Sequence, residues 1–248
     1  MWLRTGILGL LGIACCSSSF PQGSSVPSSS SIIQTAVLAF QGNGGFSQVS
    51  LAGHVQSVRG SLEEQGTVLL AAGVDGSYQI RYQFPNDART EIQTSLSDQN
   101  CSWTDANGTS HPVAPHNCLL GAAWFLPELA MFGGLQSTAT TLSVPGVTSD
   151  DTGSYFDLQQ KTTFNSPLSA GLMTHLSTMD LFLSESTFLP ACARYATHPD
   201  NDSNVDVRVE IDYSDYRQVS GISIPFHIQR LLNGTLVLDI TIESASVQ

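Results

Sequence analysis

The side chains of this chain that could do chemistry include five cysteines and six histidines. His111 and His116 could hold a metal ion together with Cys118 or Asp105. Two prolines interrupt that segment, however, and the four residues have none of the spacings found in zinc sites. We therefore interpret both histidines as loop residues and expect no metal there.

Acidic and amide side chains alternate at positions 200–206, as they do in a calcium-binding loop. Val205 stands where such a loop needs glycine, and Ile211 stands where it needs a bidentate acid. The pattern therefore indicates a polar turn before a strand, without a bound ion.

The motifs of the common enzyme classes do not occur in the sequence. It has no Gly-x-Ser-x-Gly elbow, no phosphate-binding loop, no dinucleotide-binding glycine pattern and no His-Glu-x-x-His. Catalytic triads can be scattered along a chain, so an enzyme with a polar cleft stays a third hypothesis. We expect no enzyme and no cofactor.

Acidic residues outnumber basic ones by 21 to nine, which gives a formal charge of −12. The few basic residues are spread along the chain, whereas phosphate backbones are bound by clustered lysine and arginine. Nucleic acid is therefore excluded as a partner.

The N-terminus is typical of an export signal. Arg4 precedes a short apolar stretch at 7–14, which cannot span a bilayer. Cys15 follows Leu-Gly-Ile-Ala, which resembles a bacterial lipobox, although Gly12 stands where the usual leucine would be. The alternatives are lipidation of Cys15 and simple cleavage close to it.

Three regions follow from composition. Residues 1–16 form the predicted signal, and residues 17–31 are rich in serine, a composition that cannot fold alone. This second region fits a flexible tether or an ordinary disordered tail. Residues 32–248 form the predicted folded domain.

An exported chain meets an oxidising compartment, where cysteines pair. Cys101 and Cys118 flank a segment rich in turn residues, and we predict a disulfide between them. Cys192 is then left as a buried thiol. Pairing of Cys192 with either of the other two stays an alternative.

Apolar and polar side chains alternate through three segments of the last forty residues, 205–213, 222–228 and 236–242. A period of two is typical of antiparallel strands with one buried face. A two-residue turn at Ser220-Gly221 pairs Tyr213 with Ile228, so that the apolar faces agree.

The same turn at Asn233-Gly234 would place Ile228 opposite Asp239, on the wrong face. We therefore predict a three-residue loop with Gly234 in a bulge. The predicted partners are then Ile228 with Leu238, Phe226 with Ile240, and Ile224 with Ile242.

Other elements surround this C-terminal hairpin pair. Ser31 and Gln34 predict a capping box for a helix with an apolar stripe at Ile33, Val37 and Phe40. A meander of strands follows from Val49 to Ser95, and an apolar stretch with an internal proline, Leu119 to Phe132, predicts a short broken helix. The order predicts a mainly β fold of the α+β class, with helices on the concave side of a curved sheet.

The cassette at 211–228, continued at 230–238, resembles the closing strands of the periplasmic lipoprotein-carrier (LolA-like) superfamily. The segment Leu181 to Pro190 and the early helix with its meander are also similar. The resemblance implies a strongly curved, incompletely closed antiparallel β-barrel, with short helices plugging an apolar cavity that holds acyl chains. Family members close the lid with an early-strand arginine, for which Arg59 and Arg81 are both candidates.

The resemblance implies a monomeric, exported protein that binds lipid or an acylated protein, located in the periplasm or anchored in the bacterial cell envelope. Cys15 would supply a membrane anchor if it is modified. The cavity and lid residues would be Trp124, Phe125, Leu129, Met131 and Phe132. The alternative is an interaction or structural module of the envelope, in which side chains fill the barrel and no ligand binds.

Overall fold

A computed structural model describes residues 27–42, 44–95, 100–131, 138–165 and 169–248. Its strands are β1 Gln48–Arg59, β2 Leu62–Gly73, β3 Tyr78–Gln83, β4 Ala88–Gln93, β5 Cys101–Thr104, β6 Ser110–Pro112, β7 Thr140–Asp150, β8 Gly153–Thr162, β9 Met179–Ser184, β10 Pro190–Thr197, β11 Val207–Val219, β12 Ile222–Leu232 and β13 Thr235–Val247. Its helices are α1 Ser29–Gln41 and α2 Ala170–Leu176, with 3₁₀ turns at Pro115–Asn117 and Gly121–Trp124. No helix in these ranges is long and apolar enough to cross a membrane. Cys15 and the predicted signal lie outside the described residues.

The strands form one antiparallel sheet in the order β6-β5-β4-β3-β2-β1-β13-β12-β11-β10-β9-β8-β7. The first and last strands of the chain's sheet, β1 and β13, pair in the middle of it. The edges are β6 and β7, which do not pair with each other in the described structure. The sheet is a curved, open barrel, as the sequence predicted.

One face of the strands is buried along nearly the whole sheet. Val49 and Leu51 on β1, Leu181 on β9 and Ile211 on β11 belong to the same apolar core as the buried side of α1. The alternation of buried and exposed residues on β9 follows the period of two that places side chains on opposite faces. The helices therefore cover the concave face of the barrel.

The first helix begins earlier than the sequence predicted. Its N-cap is Ser28, whose hydroxyl accepts the hydrogen bond of the Ser31 amide. The predicted capping box at Ser31 is therefore wrong, because several serines in succession can all serve as caps. Ile32, Ala36 and Phe40 form the buried stripe. Of the predicted stripe, Phe40 is buried, Ile33 is half-buried against the core, and Val37 is half-buried outside it.

The C-terminal strands confirm one predicted register and correct the other. Tyr213 pairs with Ile228, as predicted. At the second turn Asn233 and Gly234 both have positive φ, 49° and 79°, and form a two-residue turn. An irregularity between Arg230 and Leu231 then shifts the register, so that Ile228 pairs with Ile240.

The predicted three-residue loop and its pairs are therefore wrong. Gly234 is part of the turn, and the bulge lies within the strands instead. One extra residue aligns the apolar faces whether it lies in the turn or within the strands. The alternation of apolar and polar residues therefore could not distinguish the two positions.

Gly53 lies where the β1–β13 register shifts. A Cβ atom there would overlap the carbonyl oxygen of Thr241 and lie 2.8 Å from the Cα of Ile242. We expect Gly53→Ala to lower the free energy of unfolding by about 1–3 kcal/mol, since the backbone must move. Gly171→Ala, on α2 with open space around it, is the matched control in chemical denaturation. Equal losses in the two variants would contradict this account.

Candidate functional site: a plug on the concave face

Part of the connection between the two edge strands packs into the core on the concave face. We name its described apolar part, residues 118–131, the plug. It contains the 3₁₀ turn Gly121–Trp124 and helical backbone at 128–131, in place of one regular helix. Four of the five predicted cavity or lid residues are buried in the core: Trp124, Phe125, Leu129 and Met131. The fifth, Phe132, lies outside the described residues.

The plug is fixed at its start by covalent and polar contacts. Cys118 forms the predicted disulfide with Cys101 on β5. The carbonyl of Cys118 accepts a hydrogen bond of 2.9 Å from the buried Nε2 of Gln93 on β4. Cys192 is the free thiol among the described residues, as predicted, but it is half-buried and not fully buried.

Trp124 joins the middle of the plug to the opposite half of the sheet. Its carbonyl accepts a hydrogen bond of 3.0 Å from the hydroxyl of Tyr213 on β11. The guanidinium carbon of Arg230 on β12 lies 5.2 Å from the centre of its ring. This is within the range of a cation–π contact.

Phe125 and Glu128 complete the contacts of the plug. The ring of Phe125 meets Tyr78 edge-on, with the centroids 6.4 Å apart. Glu128 is fully buried, and neither of its carboxylate oxygens has a hydrogen-bond partner. Burial raises the pKa of Glu128 to about 8, so its carboxyl is mostly protonated at neutral pH.

Neither arginine considered from the sequence contacts the plug. Arg81 points out of the barrel between the inward-facing Ile80 and Tyr82. Arg59, at the end of β1, is exposed and lies 4.0 Å from Asp87. Arg230 contacts the plug instead. The sequence contained a signal for this position, because Arg230 continues the alternation that places every second residue from Ile222 to Ile228 on the inner face.

The histidines considered as metal ligands have other partners. His111 belongs to β6, stacks on Trp103 with centroids 4.1 Å apart, and lies 3.3 Å from Asp105. Cys118 is in the disulfide, and His116 faces His198 across 5.8 Å. The four side chains named in that hypothesis therefore do not form one ligand set.

The sequence did not indicate a cluster that joins α2 to the connection between β10 and β11. Nε2 of His175 and Nε2 of His198 lie 3.0 and 2.6 Å from the two carboxylate oxygens of Asp206. Hydrogen bonds from His198 and His175 lower the pKa of Asp206. A divalent metal could use such a donor set, but the buried Nδ1 of His198 lacks the supporting hydrogen bond that metal-bound imidazoles usually have. We interpret the cluster as two imidazoles bonded to one carboxylate.

The fold and the plug together define a class: an open antiparallel barrel whose concave face is covered by its own edge-to-edge connection. Comparison with solved structures supports the fold. The chain is similar to a LolA superfamily protein from Nitrosomonas europaea, with a TM-score of 0.58 and 10% identity over 90% of this chain and 94% of that one.

Two further structures have the same architecture. An outer membrane lipoprotein-sorting protein domain from Vibrio parahaemolyticus gives a TM-score of 0.54 at 8% identity, covering 88% of this chain and 91% of that one. A DUF1329 family protein from Desulfovibrio piger gives 0.53 at 13% identity, covering 90% and 94%. No protein-family model matches the sequence, and no curated protein matches it. The chain has the LolA-like fold, and identities this low establish the fold alone.

Proposed function

We propose that the chain is an exported, non-enzymatic protein that binds the acyl chain of a lipid or an acylated protein against the concave face of its barrel. The carrying observation is the plug: an apolar segment, buried against the sheet, that connects two edge strands which do not pair in the described residues. Displacing such a segment breaks none of the sheet's own hydrogen bonds. The plug would occupy the ligand's place until an acyl chain replaces it.

The energetics set a minimum length for that ligand. Exposing four large plug side chains costs about 1.5–3 kcal/mol each, and burying a methylene returns about 0.8 kcal/mol. About 8–15 methylenes are therefore needed to balance the displaced plug. The proposal favours long acyl chains as ligands over short ones.

Two observations support a place in the cell envelope. The N-terminal residues resemble an export signal with a lipobox-like cysteine at Cys15. The Cys101–Cys118 disulfide fits an oxidising compartment outside the cytoplasm. If Cys15 is lipidated, residues after it would tether the barrel to a membrane surface.

Phe125→Leu tests whether the plug is displaced. The substitution removes the edge-on contact with Tyr78, worth about 0.5–1.5 kcal/mol, and therefore weakens only the closed form. We expect affinity for a fluorescent long-chain fatty acid to rise up to about tenfold, because less plug energy opposes binding. Titration at fixed temperature measures this change.

Phe182→Leu is the matched control, because Phe182 lies on the other face of β9 against Arg194. Its affinity should equal that of the natural chain. Weaker binding by a folded Phe125→Leu variant would mean that the ring is a fixed wall of the cavity and that the plug stays in place.

A filled barrel without a ligand is the second candidate function, favoured by the packing of the plug into the same core as the strands. Native mass spectrometry and lipid extraction of protein purified from a membrane-containing host separate the two. Retained acyl lipid supports the carrier-like function. A protein that carries no lipid after purification and does not bind added fatty acid supports the interaction module.

A further inference from the structure

A polar cleft adjoins the plug at the side of Trp124. Its volume is about 230 Å³, and its lining includes Arg230 on β12, His116 in the 3₁₀ turn Pro115–Asn117 and Gln93 on β4. This lining differs from the apolar concave face, so the cleft is suited to a polar group rather than to an acyl chain.

Four buried polar atoms on residues that line this cleft lack a hydrogen-bond partner. They are Nε of Arg230, Nε2 of His116, Oε1 of Gln93 and Nε of Arg89, the last of which lies 2.9 Å from the carboxylate of Glu91. Burial and the neighbouring His198 lower the pKa of His116, so its imidazole is neutral at neutral pH and keeps one N–H to donate. Unpaired buried groups are rare because each is costly. Nε of Arg230, and Nε2 of His116 when it carries the proton, are donors that an acceptor in the cleft would satisfy, whereas Oε1 of Gln93 is itself an acceptor and does not argue for an anion.

The charges in the cleft identify the kind of partner. Arg89 is paired with Glu91 at 2.9 Å. Asp200 accepts hydrogen bonds from the Ala114 amide and from Asn117. Arg230 has no carboxylate within ion-pair distance among the described residues, and Trp124 covers one face of its guanidinium. The Arg230 side chain is half-buried, its buried Nε has no acceptor, and the nearby carboxylate of Glu91 is already paired with Arg89. An anion in the cleft would supply the missing acceptor.

We infer that the cleft binds an oxyanion, a carboxylate or phosphate group, on the guanidinium of Arg230. A guanidinium matches either group with two parallel N–H···O bonds. If the proposed function holds, this anion is the head group of the acyl ligand, because Arg230 packs on Trp124 of the plug. Arg230 belongs to β12 and not to the plug, so the head group on its guanidinium and the acyl chain on the concave face would occupy adjoining spaces once the plug is displaced.

Paired ligands of equal chain length test the assignment. Binding of palmitic acid and of its methyl ester is measured by displacement of a fluorescent, uncharged acyl probe from the natural chain and from Arg230→Gln. We expect the acid to bind about tenfold or more tightly than the ester, as a charge-assisted contact would give. In Arg230→Gln the acid should lose its advantage and bind no more tightly than the ester does to the same variant.

Arg81→Gln is the matched control, because Arg81 lies on the outer face of β3. It should keep the full preference for the acid. Arg230→Lys keeps the charge without the paired donors and should keep part of the preference; it also serves if Arg230→Gln does not fold.

The outcomes separate the inference from the proposed function. Equal binding of acid and ester by the natural chain overturns the anion site and leaves acyl binding intact. Failure of both ligands to bind overturns the proposed function, and inorganic phosphate then tests the cleft alone by calorimetry. Phosphate binding that Arg230→Gln abolishes supports a site for a free anion, and its absence overturns the inference.

Discussion

Above pH 8, Glu128→Gln is expected to raise the free energy of unfolding by about 4–5 kcal/mol, and near pH 5 by less than about 1 kcal/mol. The cause is the position of Glu128 in the plug, fully buried with both carboxylate oxygens unpaired. Burial raises the pKa of this carboxyl from 4.5 to about 8. Glutamine has nearly the same shape and cannot ionise.

The direction of this pH dependence follows from the number of protons bound by the folded and the unfolded chain. Between pH 4.5 and about 8 the unfolded chain has lost the Glu128 proton while the folded chain retains it. Unfolding therefore releases a proton in this window, and stability falls as pH rises, by about 1.4 kcal/mol per pH unit. Below pH 4.5 burial of the protonated Glu128 costs no stability through ionisation, and well above pH 8 the full loss of stability is present.

Urea denaturation of the natural chain and of Glu128→Gln at several pH values measures the effect. Glu185→Gln is the matched control, because Glu185 is exposed. The curves of Glu128→Gln and the natural chain should diverge steadily up to about pH 8, while Glu185→Gln should follow the natural chain. Parallel curves for Glu128→Gln would show that the buried carboxyl has found a partner.

The sequence predicted the parts of the fold whose alternation is strong. The segments at 205–213 and 222–228 became β11 and β12 in the predicted register, because a slip would expose every apolar side chain. Strands β7 and β8 gave no such signal. Most residues of the edge strand Thr140–Asp150 are exposed, so no apolar face marks it in the sequence.

One part of the candidate site could likewise be predicted from the sequence, and another part could not. The plug was recognisable as an apolar stretch with an internal proline, because an apolar run needs no knowledge of its neighbours. The cleft was not recognisable, since Gln93, His116 and Arg230 are brought together only by the curvature of the sheet. Parity along β12 could have placed Arg230 on the inner face, but its contact with Trp124 depends on the tertiary fold.

Removing the Cys101–Cys118 disulfide is expected to lower the free energy of unfolding by about 3 kcal/mol. The bond joins residues 17 apart in sequence, and closing a loop of this size reduces the entropy of the unfolded chain. The loop contains β5, β6 and the 3₁₀ turn that carries His116. Denaturation of Cys101→Ala/Cys118→Ala against the oxidised natural chain measures the loss.

Cys192→Ala is the control that isolates the disulfide. Burial raises the pKa of the Cys192 thiol, which keeps it protonated and a poor partner for exchange. The Cys192→Ala variant should therefore lose the same stability on reduction as the natural chain does. The double variant should not respond to reductant at all. If reduction leaves the natural chain's stability unchanged, the bond does not constrain the unfolded state, and the start of the plug is held by the Gln93 hydrogen bond alone.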